Sequence, residues 1–518
     1  MIKIFFSCVV RICEFVGSLF LIFGASFAAQ AVTGQPGTLD ATWASASTLG
    51  PGRGITPISG GGGYANAMAL QPDGKVVLAG YCGRASLPSG FCALRYNGDG
   101  TVDESFGGSG TGYVITPFNG IDDQAFAVAV QSDGKILLAG HCFNGSNNDF
   151  CTLRYLSNGI LDPAFGGGTG KVKTAISIGY DTAYAMTLQP DGKIVVVGAC
   201  RGLASGSDFC ALRYQNDGSL DLSFGGTASG KVVTPVGSGF DTASSVVLQP
   251  DGKLLLVGNC VGATTYDFCA LRYHTNGTLD TSFGTSGKVI TPVSSGSDYA
   301  NAVALQPDGK VLLVGSCDNG SGYDFCALRY HADGTLDATF GSGGTIITTV
   351  GGGEDQAYGA ALQPDGKVLL SGSCFNGINF DFCALRYTPS GVVDTTFGIG
   401  GMVVTAVGAD HDSGAAVTLQ ADGKILLAGQ CNGSGAANFC AVRYEGGPFG
   451  YKNCSLDIDG DGQVLAMTDS LIHARIALGI TGDSVVAGIT FAAHAQRKTW
   501  AQLQPYLVSQ CGMSLPPP

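Results

Sequence analysis

Short apolar runs alternate with turn-forming residues along most of this chain. In residues 241–260, for example, VVLQ and KLLLVG flank Pro-Asp-Gly. Proline fixes φ, aspartate tolerates a turn and glycine accepts positive φ, so the segment predicts a β-hairpin. The runs CALRY and GKVITPV that follow it predict a third and a fourth strand. No stretch of this region has the apolar period of a helix.

This four-strand pattern recurs seven times. A fixed period of this length is typical of stacked or circular arrays. Four short strands per unit and 82 glycines predict an all-β fold, a seven-bladed β-propeller with four-stranded blades. A β-solenoid is the alternative, although its coils are usually shorter and lack four separate turns. The repeats are 57 or 59 residues apart, counted between the phenylalanines of their FCALRY-like strands: Phe91, Phe150, Phe209, Phe268, Phe325, Phe382 and Phe439.

The order of the pieces predicts how the ring closes. A Leu-Asp-x-x-Phe-like segment follows six of the Arg-Tyr strands but is absent after Tyr444. A further copy, GTLDATW with Asp40 and Trp43, lies at the N-terminus. We therefore expect residues 37–60 to supply the outer segment of the last blade. Such closure protects strand edges that would otherwise aggregate.

The combined pattern A-x-A-[VL]-x-L-Q-P-D-G-K, then RY, then DG-x-L-D-x-x-F-G resembles the delta-60 repeat family of bacterial, NHL-like propellers, over about residues 37–446. The resemblance implies that the ALQPDG strands are innermost and the GKVITP strands outermost. It implies no particular activity. The family usually has F-A-L-A-R-Y where this chain has a cysteine-bearing strand.

An arginine of the third strand and an aspartate of the LDxxF-like segment repeat in every unit. A functional ring of charges is one interpretation, but a structural Arg–Asp pair repeated with the blade explains the regularity better, because a ligand site should break the symmetry. The arginines are Arg95, Arg154, Arg213, Arg272, Arg329, Arg386 and Arg443, and the aspartates are Asp40, Asp103, Asp162, Asp221, Asp280, Asp337 and Asp394.

Fourteen of the 18 cysteines fall two per repeat, at the end of one strand and the start of the next. Hairpin neighbours can satisfy disulfide geometry, whereas two cysteines per repeat lack the other ligands of a zinc site. Metal or redox chemistry is the alternative. We expect disulfides between 82/92, 142/151, 200/210, 260/269, 317/326, 374/383 and 431/440 (Cys82, Cys92, Cys142, Cys151, Cys200, Cys210, Cys260, Cys269, Cys317, Cys326, Cys374, Cys383, Cys431 and Cys440), and between Cys454 and Cys511.

An aspartate precedes six of the seven inner strands, with Gly63 in its place in the first repeat. Such a residue commonly forms a turn by accepting bonds from its own backbone. The functional alternative is an acidic rim around one mouth of the channel that binds a cation or a basic ligand. The six aspartates are Asp123, Asp181, Asp241, Asp298, Asp355 and Asp412.

The chain ends differ from the repeats. Residues 1–31 have a basic Lys3, an apolar core and an Ala-Gln-Ala motif, which predict a signal peptide. The propeller would then occupy 32–447, outside the cytoplasm, with no membrane insertion after cleavage. A net charge of −13 argues against nucleic acid as a partner and is compatible with calcium or basic ligands.

Residues 448–518 predict a small helical module. Their DIDGDG segment resembles the calcium loop of EF-hands and half of a dockerin repeat, which makes a cohesin partner doubtful because a second copy is absent. The resemblance implies one calcium ion, and an acidic turn without metal is the alternative. Its ligands would be Asp457, Asp459, Asp461, Gln463 and, one residue later than usual, Asp469.

No catalytic motif is present in the sequence. The histidines His141, His274, His331, His411, His473 and His494 show no metalloprotease or triad spacing, and we interpret each as a surface or turn residue. The best interpretation is a secreted, non-enzymatic binding scaffold for an unknown protein or glycan. An extracellular lyase or glycan hydrolase is the alternative, and an asymmetric cluster of acids or histidines would favour it.

Overall fold

The computed structural model describes residues 35–447, apart from gaps at 46, 48–49, 59–60, 85–86, 119–121, 203–205, 263 and 433–435. It also describes 471–509, apart from 473–474, 477–481, 492–494 and 496. The predicted signal peptide, the calcium loop, Cys454 and Cys511 lie outside the described residues, as do His473 and His494.

The first part of the chain forms a seven-bladed β-propeller, as predicted. Each blade is a four-stranded antiparallel sheet, and in blades 1 to 6 the strands are in sequential order. Blade 1 comprises β2 (Gly63–Leu70), β3 (Val76–Arg84), β4 (Leu87–Tyr96) and β5 (Tyr113–Thr116). Blade 2 comprises β6 (Gln124–Val130), β7 (Ile136–Phe143), β8 (Asn148–Tyr155) and β9 (Lys171–Thr174). Blade 3 comprises β10 (Asp181–Leu188), β11 (Ile194–Cys200), β12 (Asp208–Tyr214) and β13 (Lys231–Thr234).

The remaining blades follow the same plan. Blade 4 comprises β14 (Thr242–Leu248), β15 (Leu254–Val261), β16 (Tyr266–Tyr273) and β17 (Lys288–Thr291). Blade 5 comprises β18 (Asp298–Leu305), β19 (Val311–Asp318), β20 (Tyr323–Tyr330) and β21 (Thr345–Thr348). Blade 6 comprises β22 (Asp355–Leu362), β23 (Val368–Phe375), β24 (Phe380–Tyr387) and β25 (Met402–Thr405). Blade 7 comprises β26 (Asp412–Leu419), β27 (Ile425–Asn432), β28 (Ala437–Tyr444) and β1 (Arg53–Thr56).

The ring closes through the N-terminal segment, which confirms the predicted arrangement. Strand β1 pairs antiparallel with β28 as the outermost strand of blade 7. Trp43 is fully buried and stands where the other blades have the phenylalanine of the LDxxF segment. A Cβ on Gly100 of blade 1, where φ is +86°, would lie 2.5 Å from the indole. Glycine is therefore required for this close approach between blades 7 and 1.

The hydrophobic core lies between the blades. Each of seven apolar clusters contains residues of two neighbouring blades, as in the cluster that joins Leu255 and Phe268 of blade 4 to Val311 and Leu328 of blade 5. Second and third strands are buried on both faces, so they are apolar runs without alternation. This explains a mean hydropathy of +0.24 in a chain with 13% charged residues.

Outside the propeller, the structure describes short helices and a small core. A 3₁₀ turn spans Gly482–Val485, and helix α1 spans Trp500–Ser509. Within the blades, further 3₁₀ turns span Phe106–Gly108 and Gly166–Gly168. The small core contains Ile472, Val485, Trp500, Leu503 and Leu507. Among the described residues, no helix is long and apolar enough to cross a bilayer.

Candidate binding face

The propeller has two faces of different construction. We call one the turn face: it carries the Q-x-D-G-K turns between first and second strands and the LDxxF segments. We call the other the connection face: it carries the turns between second and third strands and the links from each outer strand to the next inner strand. Because strands alternate in direction, both kinds of loop on a face lie at the same end of the blades.

On the turn face, the repeated arginine and aspartate form a buried ion pair in each blade, as the structural interpretation predicted. In blade 5, for example, Nε of Arg329 lies 2.7 Å from Oδ2 of Asp337, and the guanidinium packs 4.6 Å from the ring centroid of Phe340. The same guanidinium donates a bond of 2.6 Å to the carbonyl of Pro389 in blade 6. The arginine therefore ties its own blade to the next one.

The tyrosine that follows each arginine ties its blade to the preceding one. Tyr330 of blade 5 bonds Oγ1 of Thr291 in blade 4 at 2.6 Å, and Tyr96 of blade 1 bonds Thr56 of β1 at 2.7 Å. Burial raises the pKa of the Tyr330 hydroxyl, so it stays neutral. Arg443 of blade 7 completes the ring with a 3.0 Å bond to the carbonyl of Gly98. The Arg-Tyr pair therefore recurs in every blade because its arginine bonds the following blade and its tyrosine bonds the preceding one.

The seven predicted intra-blade cysteine pairs are disulfides in the structure, with Cα–Cα distances of 5.5 to 5.9 Å. Each joins the second strand to the third near the connection face. The cysteines are almost completely buried in the cores between blades. The disulfides therefore crosslink the two strands that flank each variable turn of that face.

The six aspartates proposed as a rim lie on the connection face, but they are almost completely buried. Each accepts bonds from the backbone of the loop that precedes it. Asp355, for example, receives N–H bonds from Val350 and Gly351 at 2.8 and 2.7 Å. The equivalent bonds from one or both loop residues recur at Asp123, Asp181, Asp241, Asp298 and Asp412. These contacts support the turn-forming alternative, and no described group of three or more acidic, histidine or cysteine residues could hold a metal ion.

Sequence reasoning missed a second row of acids on the third strands, all buried except the half-buried Asp208. The residue before each Phe-Cys is Asp in blades 2 to 6, and each of these lies beside the inner-strand aspartate of the following blade. Burial raises the pKa of Asp267, and the charge of Asp298 raises it further. Both acids are absent at the junction of blades 7 and 1, where Asn438 and Gly63 replace them. This joint loss is the signal in the sequence that could have revealed the pairs.

A channel of about 700 Å³ runs between the seven inner strands, which confirms that the ALQPDG strands are innermost. Its described lining is made of small, apolar and neutral polar side chains without a charge. Each inner strand has an irregularity in its pairing near the same level. The residues there differ between blades: Asn66, Phe126, Tyr184, Ser244, Asn301, Tyr358 and Ala415.

One asymmetric cluster surrounds His141. The sequence predicted a surface or turn position for this histidine, and that prediction is wrong because His141 lies buried in a strand. The imidazole is buried in strand β7, 5.5 Å from the ring centroid of Phe126, and its Nε2 lies 3.5 Å from Oδ2 of Asp122. Burial lowers the pKa of His141, although Asp122 partly opposes this shift. Phe126 in turn lies 5.4 Å from Tyr184 at the channel.

A second asymmetric cluster contains three tyrosines of blades 4 and 5. The ring of Tyr299 lies 5.3 Å from that of Tyr266 and 5.8 Å from that of Tyr323. Asp318 pairs with Tyr323 across the hairpin, and Glu354 lies in the following connection. These residues lie at variable positions near the connection-face ends of strands or in a connection, so sequence spacing does not bring them together.

Comparisons with known proteins agree with the architecture. Six segments carry a known propeller repeat. They match a family described as "Domain of unknown function (DUF5122) beta-propeller", at residues 71–106, 131–165, 189–224, 249–283, 306–340 and 363–397. The seventh repeat is divided between residues 420–446 and the N-terminal segment, and it falls outside the matched segments. No curated protein matches the chain.

Several solved structures resemble the fold at low identity. A protein from Lactobacillus plantarum is 15% identical with a TM-score of 0.40, covering 66% of this chain and 88% of that one. Sqt1 from Chaetomium thermophilum is 12% identical with a TM-score of 0.36, covering 73% and 82%. A polysaccharide lyase of family PL25, an ulvan lyase, is 10% identical with a TM-score of 0.41, covering 74% and 95%. At these identities the resemblance does not bear on function.

Proposed function

We propose that this protein is a secreted binding module whose ligand contacts the connection face. One observation carries the proposal: the turn face keeps the Q-x-D-G-K turn and an LDxxF-like segment in every blade, whereas the turns of the connection face diverge. Every blade has Q-x-D-G-K at the turn face, whereas no two blades share the same turn between second and third strands. Selection for structure alone would give similar loops at both ends of similar blades.

Exposed aromatic side chains support this assignment. Tyr180 and Phe240 are 54% and 44% exposed, and both lie in connections between blades. Arg201 packs 5.6 Å from the ring centroid of Phe240. Exposed aromatic and arginine side chains are enriched where proteins bind partners, because they supply large contact areas at small entropic cost.

Matched sets of exposed residues provide the test. We would replace Ile178, Tyr180, Phe240 and Ile378 of the connection face by alanine, and, as the control, Ile160, Leu222, Val392 and Ile399 of the turn face. The two sets have similar exposures of 44–87% and 53–90%. On arrays of glycans and peptides, the first variant should lose binding and the second should retain it. Equal behaviour of the two variants would contradict the assignment.

An extracellular location and a calcium-binding tail belong to the same proposal. The seven disulfides fit an oxidising compartment. Alternating Asp457, Asp459 and Asp461 supply the oxygen ligands that calcium prefers. Calorimetry on the full chain should show calcium binding that Asp461→Ala abolishes. Unchanged binding in that variant would assign the ion elsewhere.

An extracellular enzyme is the second candidate, and the contact between His141 and Asp122 is the observation that favours it. The pair is asymmetric, belongs to no repeat consensus and lies beside aromatic residues of the channel. Imidazole and carboxylate together can move a proton in acid–base catalysis. Assays of polysaccharide cleavage with the wild type and His141→Ala decide between the candidates, because a lyase or hydrolase would lose its activity in the variant.

A further inference from the structure

The tyrosine–acid cluster, which comprises Tyr266, Tyr299, Tyr323, Asp318 and Glu354, has the composition of a site for a cation. Its three tyrosines come from two neighbouring blades and are each half-buried. Tyr299 lies between the other two, so the rings form a continuous aromatic patch. The faces of tyrosine rings carry partial negative charge and attract ammonium and guanidinium groups.

Two acidic side chains lie beside this patch, each against glycines of a turn or connection. Oδ1 of Asp318 accepts the N–H of Gly320 at 2.9 Å. A Cβ on Gly296 would lie 2.7 Å from Cγ of Asp318, so the neighbouring connection packs directly against this side chain. A Cβ on Gly322 would lie 3.4 Å from Cγ of Glu354, which places Glu354 against the same turn. Asp318 is therefore fixed by a backbone bond, and the exposed Glu354 packs against the same hairpin turn.

The negative charge of the cluster is not balanced by a base. Neither Asp318 nor Glu354 takes part in an ion pair within the described part of the chain. The pKa of Tyr323 is raised, first by burial, then by Tyr299, and also by the charges of Asp318 and Glu354. On the turn face, by contrast, each buried aspartate has an arginine and a lysine nearby, as Asp337 has Arg329 and Lys310.

From this contrast, and resting on the proposed function, we infer that the tyrosine–acid cluster binds the guanidinium group of an arginine in a basic polypeptide. A guanidinium can stack on one tyrosine ring while its N–H groups bond the carboxylates, which a compact ammonium group does less well. A neutral glycan would leave both charges without a partner. The overall charge of −13 would further favour the approach of a basic partner.

A short peptide of alternating arginine and serine is the probe, and the same peptide with neutral citrulline is its isosteric control. The full-length protein should bind the arginine peptide and bind the citrulline peptide at least about tenfold more weakly. Glu354→Gln and Asp318→Asn should each weaken arginine-peptide binding by about three- to tenfold. Added salt should weaken it as well, because exposed charges are screened.

Asp410→Asn is the matched control, because Asp410 is an exposed acid on the same face but lies beside His411 in the connection to blade 7. Its affinity for the peptide should stay at the wild-type value. Equal binding of the two peptides, or equal effects of the Asp410 and Glu354 variants, would overturn the inference. Free arginine amide, tested in parallel, distinguishes a small cation from a polypeptide: equal affinity for the amide and the peptide would overturn the polypeptide assignment.

These outcomes are separable from those of the proposed function. If the connection-face variants lose a neutral ligand on the arrays while neither peptide binds, the binding face stands and the arginine site is refuted. If the turn-face control variant is the one that loses binding, the binding face itself is refuted.

Discussion

The two faces of this propeller show how one repeat can serve two purposes. On the turn face, every blade presents the same arginine, aspartate, tyrosine and lysine. The arginine and lysine pair with the aspartate of their own blade, and the arginine and tyrosine also bond the neighbouring blades. On the connection face, buried acids and cysteines are repeated in most blades, while the residues of the turns above them differ. The comparison teaches that repetition marks the contacts that every blade needs, and that loss of repetition marks the surface where function can differ between blades.

Deletion of residues 35–60 should have the largest effect, because it removes the outer strand of blade 7 and the buried Trp43. The deletion would expose the edge of β28 and leave blades 7 and 1 without their shared core. We expect loss of cooperative thermal unfolding and of soluble yield. Trp43→Ala, a milder change, should cost about 3–5 kcal/mol in the free energy of unfolding. A truncated protein with a wild-type melting curve would contradict the closure.

The next largest effect distinguishes arginines of the two faces. Arg386 is 1% exposed in its side chain and pairs with Asp394 at 2.9 Å. Arg386→Ala leaves a buried carboxylate without its strongest partner, which costs about 3–5 kcal/mol. Arg201→Ala on the connection face, where the side chain is exposed, should change stability by less than about 0.5 kcal/mol. Chemical denaturation measures the free energy of unfolding of both variants. Similar decreases in the two variants would contradict the proposed difference between the faces.

A single disulfide should contribute less to the free energy of unfolding than the buried ion pair of Arg386 and Asp394. Replacing Cys317 and Cys326 together by alanine opens a loop closed over a sequence separation of nine. The chain-entropy model gives a loss of about 2–3 kcal/mol for a loop of this size. Free-thiol counts on the denatured wild type should find the fourteen blade cysteines oxidised. Several free thiols per chain would show that the pairs do not form in solution.

The sequence predicts those features of the fold that depend on order along the chain. Blade number, strand order, the closing segment and the cysteine partners all follow from the spacing of repeats, because neighbours in sequence are neighbours in a blade. The Arg–Asp pair follows as well, since its members are only eight residues apart, as in Arg329 and Asp337.

Contacts between blades are different, because they depend on the twist and packing of two sheets. The bond from Tyr330 to Thr291 joins residues 39 apart, and nothing in either strand indicates the partner. His141 is buried because Phe126 packs over it, which its position before a cysteine does not reveal. The tyrosine–acid cluster likewise combines residues of β16, β18, the β19–β20 hairpin and the connection to blade 6. The candidate site is therefore far less predictable from sequence than the fold that carries it.

The smallest expected effect is that of Asp267 on the connection face, and its sign is opposite to that of the larger effect of Asp280 on the turn face. Burial and Asp298 raise the pKa of Asp267, so its contribution to stability is present at acidic pH and is lost as the pH rises through its folded-state value. Burial opposes ionisation of Asp280 too, but bonds from Ser282 and Lys253 and the charge of Arg272 hold its pKa well below the usual range. Its contribution is present at neutral pH and is lost as the pH falls below about 4.

Asp267→Asn should therefore stabilise the protein slightly at pH 7, by less than about 1 kcal/mol, because asparagine carries no charge beside Asp298. Asp280→Asn should destabilise it at the same pH, by up to about 3 kcal/mol, because two bases lose their buried partner. Near pH 3 both differences from the wild type should shrink, for different reasons. Asp267 is already protonated in the folded protein, whereas Asp280 stays ionised there and its advantage falls because the aspartate of the unfolded chain takes up a proton. Thermal unfolding of the three proteins at both pH values measures this. A destabilising Asp267→Asn at pH 7 would mean that the third-strand acids have a cationic partner in solution, and the two faces would then balance their charges in the same way.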